Sequence, residues 1–349
     1  MKRTSLSLAV MLTLAACSNG TDDTADDKTS AQGGEKPTTV RVLTHDSFVL
    51  SDEHIAQFEE ETGYTLETIA PGDGGLVVNQ LILNKDNPSA DAVFGLDNFL
   101  VPTAIDEGVL AEASTEAVPD SATDLVVEGR AIPIDRGDVC INADLTWFEE
   151  EGMELPSSLE DLAKPEYAEL LVVTDPVTSS PGFAFLTGTI SVFGDEWTDY
   201  WSDLVAGGTR VADGWSDAYY SDFSGSDGEG PFPLVLSYSS SPSAEVDDSG
   251  TARTAILEDT CVRQVEYASI VEGGANPEGA QAFIDFMLSE EVQAALPETM
   301  YMYPIDDEIE LPEAWAAHAK LSDNPIEVDS AEVAQMRSDW LDQWTDAVQ

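Results

Sequence analysis

The sequence predicts an α/β protein of two lobes, and three observations carry that prediction. Short β-branched runs alternate with helical patterns, which is the rhythm of βαβ units building largely parallel sheets. The chain has 349 residues, enough for two lobes at roughly 100 to 200 residues per domain. Two long strand patterns, Ile132 to Asn142 and Cys261 to Ala268, are spaced to carry the chain into a second lobe and back.

In chain order, Val40 to Thr44 reads as the first strand and His54 to Thr62 as a helix stopped by Gly63. Thr65 to Ala70 is a second strand, Leu76 to Leu83 a helix after a Gly-rich turn, and Ala92 to Gly95 a third strand. After the first long strand, Ser157-Ser158-Leu159-Glu160 has the spacing of a capping box, in which a serine hydroxyl and an acid three residues on satisfy free N–H groups. Leu170 to Thr174 is a strand, Phe183 to Phe193 a helix and Leu234 to Ser237 another strand. Asn276 caps a helix with Pro277 in its first turn, running to about Leu288. Val333, Met336, Trp340 and Trp344 recur at spacings of three and four, an apolar stripe on a terminal helix.

The N-terminus reads as an export signal. Lys2-Arg3 precedes an apolar stretch that ends in Leu14-Ala15-Ala16-Cys17, the order of charged, apolar and small residues found before a cleavage point. Residues 1–16 are therefore expected to be a leader. The pattern resembles the bacterial lipoprotein signal, which implies that Cys17 is acylated and anchors the protein outside the cytoplasm. An ordinary secretory signal with an incidental cysteine is the alternative. Residues 17–37 are rich in Asp, Thr, Ser and Gly and poor in apolar side chains, so they cannot repay the entropy of ordering and read as a tether. No later run approaches the roughly 20 apolar residues that a membrane span requires.

Composition narrows the function. Fourteen basic residues against 68 acidic ones give a formal net charge of −54, which repels phosphate backbones and argues against nucleic-acid partners. The same field would concentrate cations near a cleft, although screening over about 8 Å favours a plainer reading as solubility or lineage composition. With Cys17 set aside, Cys140 and Cys261 are an even pair in an oxidising compartment and are expected to bridge; two separate buried thiols are the alternative.

Catalytic signatures are missing. The three histidines, His45, His54 and His318, have no Gly-x-Ser-x-Gly elbow with them. No phosphate loop or dinucleotide fingerprint follows a strand, and metal-ligand spacings of Cys and His are absent. No enzyme activity, cofactor or metal is expected. The twin tyrosines Tyr219-Tyr220 leave ferric ion as a minority reading, but adjacent residues on a helix cannot point the same way. An extracellular hydrolase using His45, Asp46 and a serine is the rival from another class.

Polar and aromatic residues instead gather after strands, where open α/β sheets present their ligand crevice. Thr44-His45-Asp46-Ser47-Phe48, Gly95-Leu96-Asp97-Asn98, Asp175-Pro176-Val177-Thr178-Ser179-Ser180, Gly214-Trp215-Ser216-Asp217-Ala218-Tyr219 and Ser237-Tyr238 are the clusters. Trp215, Tyr238 and Tyr301 offer flat faces to a cation, Asp97 or Asp46 a counter-charge, and Ser179 and Ser180 a helix start suited to a hydroxyl or phosphate. Each has a plainer role as core aromatic, turn or cap residue.

These motifs, with Gln264-Val265-Glu266, Ser241-Pro242, Met302-Tyr303-Pro304 and Ala334-Gln335-Met336-Arg337, resemble the thiamine-binding subunit of bacterial ABC importers, a branch of the extracellular solute-binding proteins. The resemblance runs from about Val40 to the C-terminus. It implies a two-lobed periplasmic-binding-protein-like fold of type II, with thiamine or its phosphates held between the lobes. The implied partners are an ABC permease and its ATPase, with the lipid as the sole membrane contact and the protein a monomer. It implies ligand contacts from Asp97, Ser179, Ser180, Trp215, Tyr219 and Tyr238. His45 stands where the family often has tyrosine, and Tyr301 where tryptophan is common. Those departures leave thiamine, its mono- or diphosphate, or another cation such as a polyamine or ferric ion open. The expected layout is lobe 1 from 38–133 and 263–305, lobe 2 from 134–262, and a C-terminal helical segment from 306–349.

Overall fold

A computed structural model describes residues 38–226 and 230–348. The expected leader, the Cys17 lipidation site and the tether lie outside the described residues. Among the described residues ten strands form one sheet: β1 Thr39–Leu43, β2 Thr65–Ile69, β3 Ala92–Asp97, β4 Ala131–Asp144, β5 Leu171–Thr174, β6 Arg210–Ala212, β7 Leu234–Tyr238, β8 Thr254–Ile256, β9 Val262–Ile270 and β10 Tyr303–Pro304. Their order is β2-β1-β3-β9-β4-β7-β5-β6, with β8 and β10 also paired to β4.

The outer strands on each side are parallel, β2-β1-β3 at one end and β7-β5-β6 at the other. The centre is antiparallel, because β4 and β9 are the two long strands that cross between the halves. The first part of β4 pairs with β9, from Ala131 opposite Ser269 to Val139 opposite Val262. Its last part pairs with β7, from Val139 opposite Tyr238 to Ala143 opposite Leu234. One strand thus serves two cores.

The first core draws on buried side chains from Val40 to Ile134 and from Val265 to Ile305. The second draws on Val139 to Val262 together with Val333, Trp340, Leu341 and Trp344 of the helix Ser330–Ala347. The apolar stripe of that helix packs as its spacing predicts, with Trp344 edge-on to Trp201 at 5.6 Å and 86°. Met336 is only partly buried. Cys140 and Cys261 are joined by a disulfide spanning 121 residues, which ties β4 to the start of β9.

Several boundaries differ from the sequence reading by one to three residues, and three of these are informative. β3 continues through Gly95-Leu96-Asp97, with a register shift at Gly95, whose φ of +91 disfavours any residue with a Cβ. The helix expected from Phe183 begins at Ser180, with Ser179 as cap. The expected cap moves by one residue, because Ser158 Oγ accepts the Asp161 N–H at 3.3 Å while Asp161 accepts the N–H and hydroxyl of Ser157. The shift buries Leu159 and Leu162. Asn276 caps the helix Pro277–Met287 as expected, its Oδ1 accepting the Gly279 N–H at 3.0 Å.

Candidate ligand-binding cleft

A narrow cleft with about 30 Å³ of free volume opens between the two cores, floored by the crossing strands. His45, Ser47, Asp73 and Glu266 line one side with Met300 and Met302, and Pro181, Trp215 and Tyr238 line the other. A second cavity of about 260 Å³ lies behind Trp215, bounded by Tyr219, Tyr220, Glu245, Arg253 and Tyr301. Trp215 is the wall common to both.

The Trp215 ring is held on three sides. Its Nε1–H donates to Ser237 Oγ at 2.8 Å, itself 2.8 Å from Ser241 Oγ. Tyr219 stacks on it at 5.1 Å and 15°, and Tyr238 lies tilted at 6.3 Å. Tyr219 is buried and donates its hydroxyl to Glu245 Oε1 at 3.1 Å, whereas Tyr220 turns out at 89° to it and is 46% exposed. The twin tyrosines stand perpendicular with ring centres 5.5 Å apart, and both pack on Trp215 and line the second cavity, contrary to the expectation that they point apart. Tyr301 adopts φ +56, a conformation costly for an aromatic residue and one that clusters at ligand clamps. Its carbonyl accepts the Ser240 hydroxyl at 2.6 Å.

His45 packs against Phe94 at 5.6 Å, with Nε2 3.8 Å from Glu266 Oε2. Burial pushes its pKa down to about 4, with Asp46 opposing, so the ring is neutral at pH 7. A Cβ on Gly95 would sit 2.2 Å from His45 Cδ2, a second reason for glycine there. Asp46 is more exposed, at the rim of the cleft. Burial and the charge of Asp73 raise its pKa, with Ser47 among the opposing influences.

Asp97 does not line the cleft. It is fully buried, and Oδ1 accepts the N–H groups of Phe99 and Leu100, each at 2.8 Å, while Oδ2 has no hydrogen-bond partner. Burial raises its pKa to about 6 against those bonds and the Arg337 guanidinium. Ser179 is also buried and engaged: its hydroxyl donates to Thr174 Oγ1 at 2.9 Å and accepts the Gly182 N–H at 3.4 Å. Ser180 is buried too, with its hydroxyl near Asp97 but outside ordinary hydrogen-bond geometry.

Sequence reasoning did not single out Asp73, Ser47, Pro181, Glu266, Met300 or Met302 as site residues. Asp73 had a signal, since an acid before Gly74-Gly75 is a helix start that neighbouring backbone can approach closely. Its Oδ1 accepts the Gly74 N–H at 2.6 Å and the Ser180 N–H at 3.2 Å, and Oδ2 accepts the Trp215 N–H at 3.2 Å. Ser47 Oγ lies 3.2 Å from Ser216 Oγ, a second link across the cleft. Glu266 had one as well, being a charge inside a β-branched strand; it is 4% exposed.

The model of the family described as bacterial extracellular solute-binding protein matches residues 87–324. The thiamine-binding periplasmic protein of Escherichia coli (strain K12) is 30% identical over 293 residues, 83% of this chain and 86% of that protein. A solved periplasmic thiamin binding protein superposes with a TM-score of 0.78 at 28% identity, covering 90% of this chain and all 100% of the other. The ferric binding protein from Campylobacter jejuni has a TM-score of 0.69 at 17% identity, covering 88% of this chain and 99% of that one, and shares the fold. The architecture is accordingly the two-lobed type II fold of periplasmic binding proteins. Its cleft between two cores and its matched sequence lead to one assignment: the chain belongs to the bacterial extracellular solute-binding proteins.

Proposed function

We propose that this protein captures thiamine or a thiamine phosphate between its lobes and delivers it, without catalysis, to an ABC permease and its ATPase. The observation that carries the reading is the facing of Trp215 and Tyr238 against buried Glu266 across one cleft. Aromatic faces and a carboxylate suit a cationic heteroaromatic ring, each desolvated cation–π contact contributing roughly 0.5 to 2 kcal/mol. The thiamine-binding names of the E. coli relative and the solved structure support the same ligand.

In this reading Trp215, Tyr238 and His45 line the ligand, with Tyr219 and Tyr301 behind or above them. Asp46 acts from the rim, and Asp97, Ser179 and Ser180 brace the floor and the helix start beneath the ligand's hydroxyl or phosphate end. The lobes run over 38–133 with 263–305 and over 134–262, a division that the two cores support apart from Ile134, which packs in the first, and Phe99, which packs in the second. Residues 306–349 form the C-terminal helical segment, whose last helix packs on the second core. The mature protein is a monomer, tethered outside the cytoplasmic membrane by a lipid on Cys17.

Calorimetry of the full-length mature chain with thiamine, its mono- and diphosphate, spermidine and ferric citrate tests the ligand. Saturable thiamine binding with a concentration-dependent rise in Tm is the expected outcome. Heat only with spermidine or ferric citrate would move the assignment to that cation.

A further inference from the structure

Three carboxyl groups lie side by side at and beneath the cleft floor. Register pairs Asp97 of β3 with Glu266 of β9, and Glu266 with Asp135 of β4. Paired residues on adjacent strands share a face, so the three side chains are neighbours. Asp97 and Asp135 are 0% exposed and Glu266 4%. Only Glu266 reaches the cleft. Both oxygens of Asp135 lack a hydrogen-bond partner although the side chain lies against Glu266.

The surroundings do not neutralise this row. His45 contacts Glu266 as a neutral ring. Asp73, from the start of the helix Gly74–Leu83, adds negative charge, and the half-buried Tyr238 of β7 faces the same acids. Arg337 acts on Asp97 from the terminal helix, whereas Arg136, next to Asp135, is paired with Asp307. Buried like charges in contact cannot all ionise, so the Glu266–Asp135 pair retains a proton: burial raises both pKa values, the charge of Asp135 raises that of Glu266 further, and the contact with Glu266 opposes the rise at Asp135.

Resting on the thiamine reading above, we infer that a cation entering the cleft displaces one proton from the Glu266–Asp135 pair to solvent, so that capture is coupled to proton release. The cation supplies beside Glu266 the positive charge that the proton supplied before. Glu266 is thus the group that reads ligand charge, and Asp135, out of ligand reach, is the positioning residue that sets its protonation.

The test is calorimetry of thiamine binding at pH 7 in two buffers of different ionisation enthalpy, with affinities compared at pH 6 and 7. The expected result is a buffer-dependent heat corresponding to release of about one proton, and affinity that tightens by up to about tenfold per pH unit. Asp135→Asn, checked for folding by its melting curve, is expected to bind thiamine with the buffer dependence largely gone, and Glu266→Gln likewise with weaker binding. Equal heats in both buffers overturn the inference and leave the thiamine reading standing. Unchanged proton release in folded Asp135→Asn overturns the pair as its source. No binding heat in any buffer overturns both readings.

Discussion

The Asp73 carboxylate accepts the Trp215 backbone N–H at 3.2 Å, and this bond crosses from the first core to the aromatic wall of the other. The same carboxylate accepts the Ser180 N–H, so one side chain at a helix start holds two loops of the opposite half. A hydrogen bond to a charged group contributes roughly 1.5 to 3 kcal/mol. Asp73→Ala is expected to favour separated lobes, seen as a larger radius of gyration in solution scattering. It should weaken ligand binding roughly 10- to 100-fold, because affinity scales with the population of the competent state. Unchanged scattering and affinity would deny Asp73 this role.

Gly75 permits the same approach by its lack of a side chain. A Cβ there would fall 2.6 Å from the Val177 carbonyl oxygen, closer than real contacts allow. Gly75→Ala is expected to weaken ligand binding by about tenfold or more while changing Tm little, since the clash exists only when the halves meet. A large fall in Tm with unaltered affinity would place the strain inside one lobe instead.

Trp215 separates two cavities, and its ring and its N–H have different tasks. Trp215→Phe keeps a flat face and loses the bond to Ser237; Trp215→Ala loses both. Thiamine affinity measured by calorimetry is expected to fall modestly for the first and by about tenfold or more for the second, the scale of one desolvated cation–π contact. Equal losses would mean that the hydrogen bond, and not the face, matters.

Stability should depend on pH through Asp97. Its folded pKa of about 6 lies above the ordinary 3.8, so the folded chain keeps a proton that the unfolded chain loses. That contribution is full below pH 4 and disappears as pH rises through 6, up to roughly 3 kcal/mol for a two-unit shift. His45, lowered from 6.5 to about 4, acts oppositely, adding stability as pH rises from 4 through 6.5. Comparison with Asp97→Asn cancels that term, and the variant retains an oxygen to cap Phe99 and Leu100. Its Tm relative to wild type is expected to climb between pH 4 and 7, and a constant difference would count against a buried protonated Asp97.

The bridge between Cys140 and Cys261 closes a long loop across the crossing strands. In the chain-entropy account such a loop stabilises by up to roughly 5 kcal/mol. Replacing both cysteines by alanine is expected to lower the denaturant midpoint substantially with little change in fold by circular dichroism. An unaltered midpoint would show the bridge to be energetically idle.

Much of this was legible in the amino-acid order. The alternation of strand and helix, the crossing strands, the Asn276 cap and the terminal tryptophan stripe are local patterns, set by periodicities of 2 and 3.6 residues that hold wherever the segment packs. Aromatic residues after strands such as Trp215 and Tyr238 were visible too, because strand ends are where an α/β sheet leaves side chains unburied by its helices. What only the tertiary structure decided was which acids share a neighbourhood. Asp97, Asp135 and Glu266 are far apart in sequence and adjacent through strand register, while Asp73 meets Ser180 and Trp215 only when the halves touch. Burial and Coulomb interaction depend on distance in space, so the protonation of the cleft floor and the grip of Asp73 are properties of the folded chain.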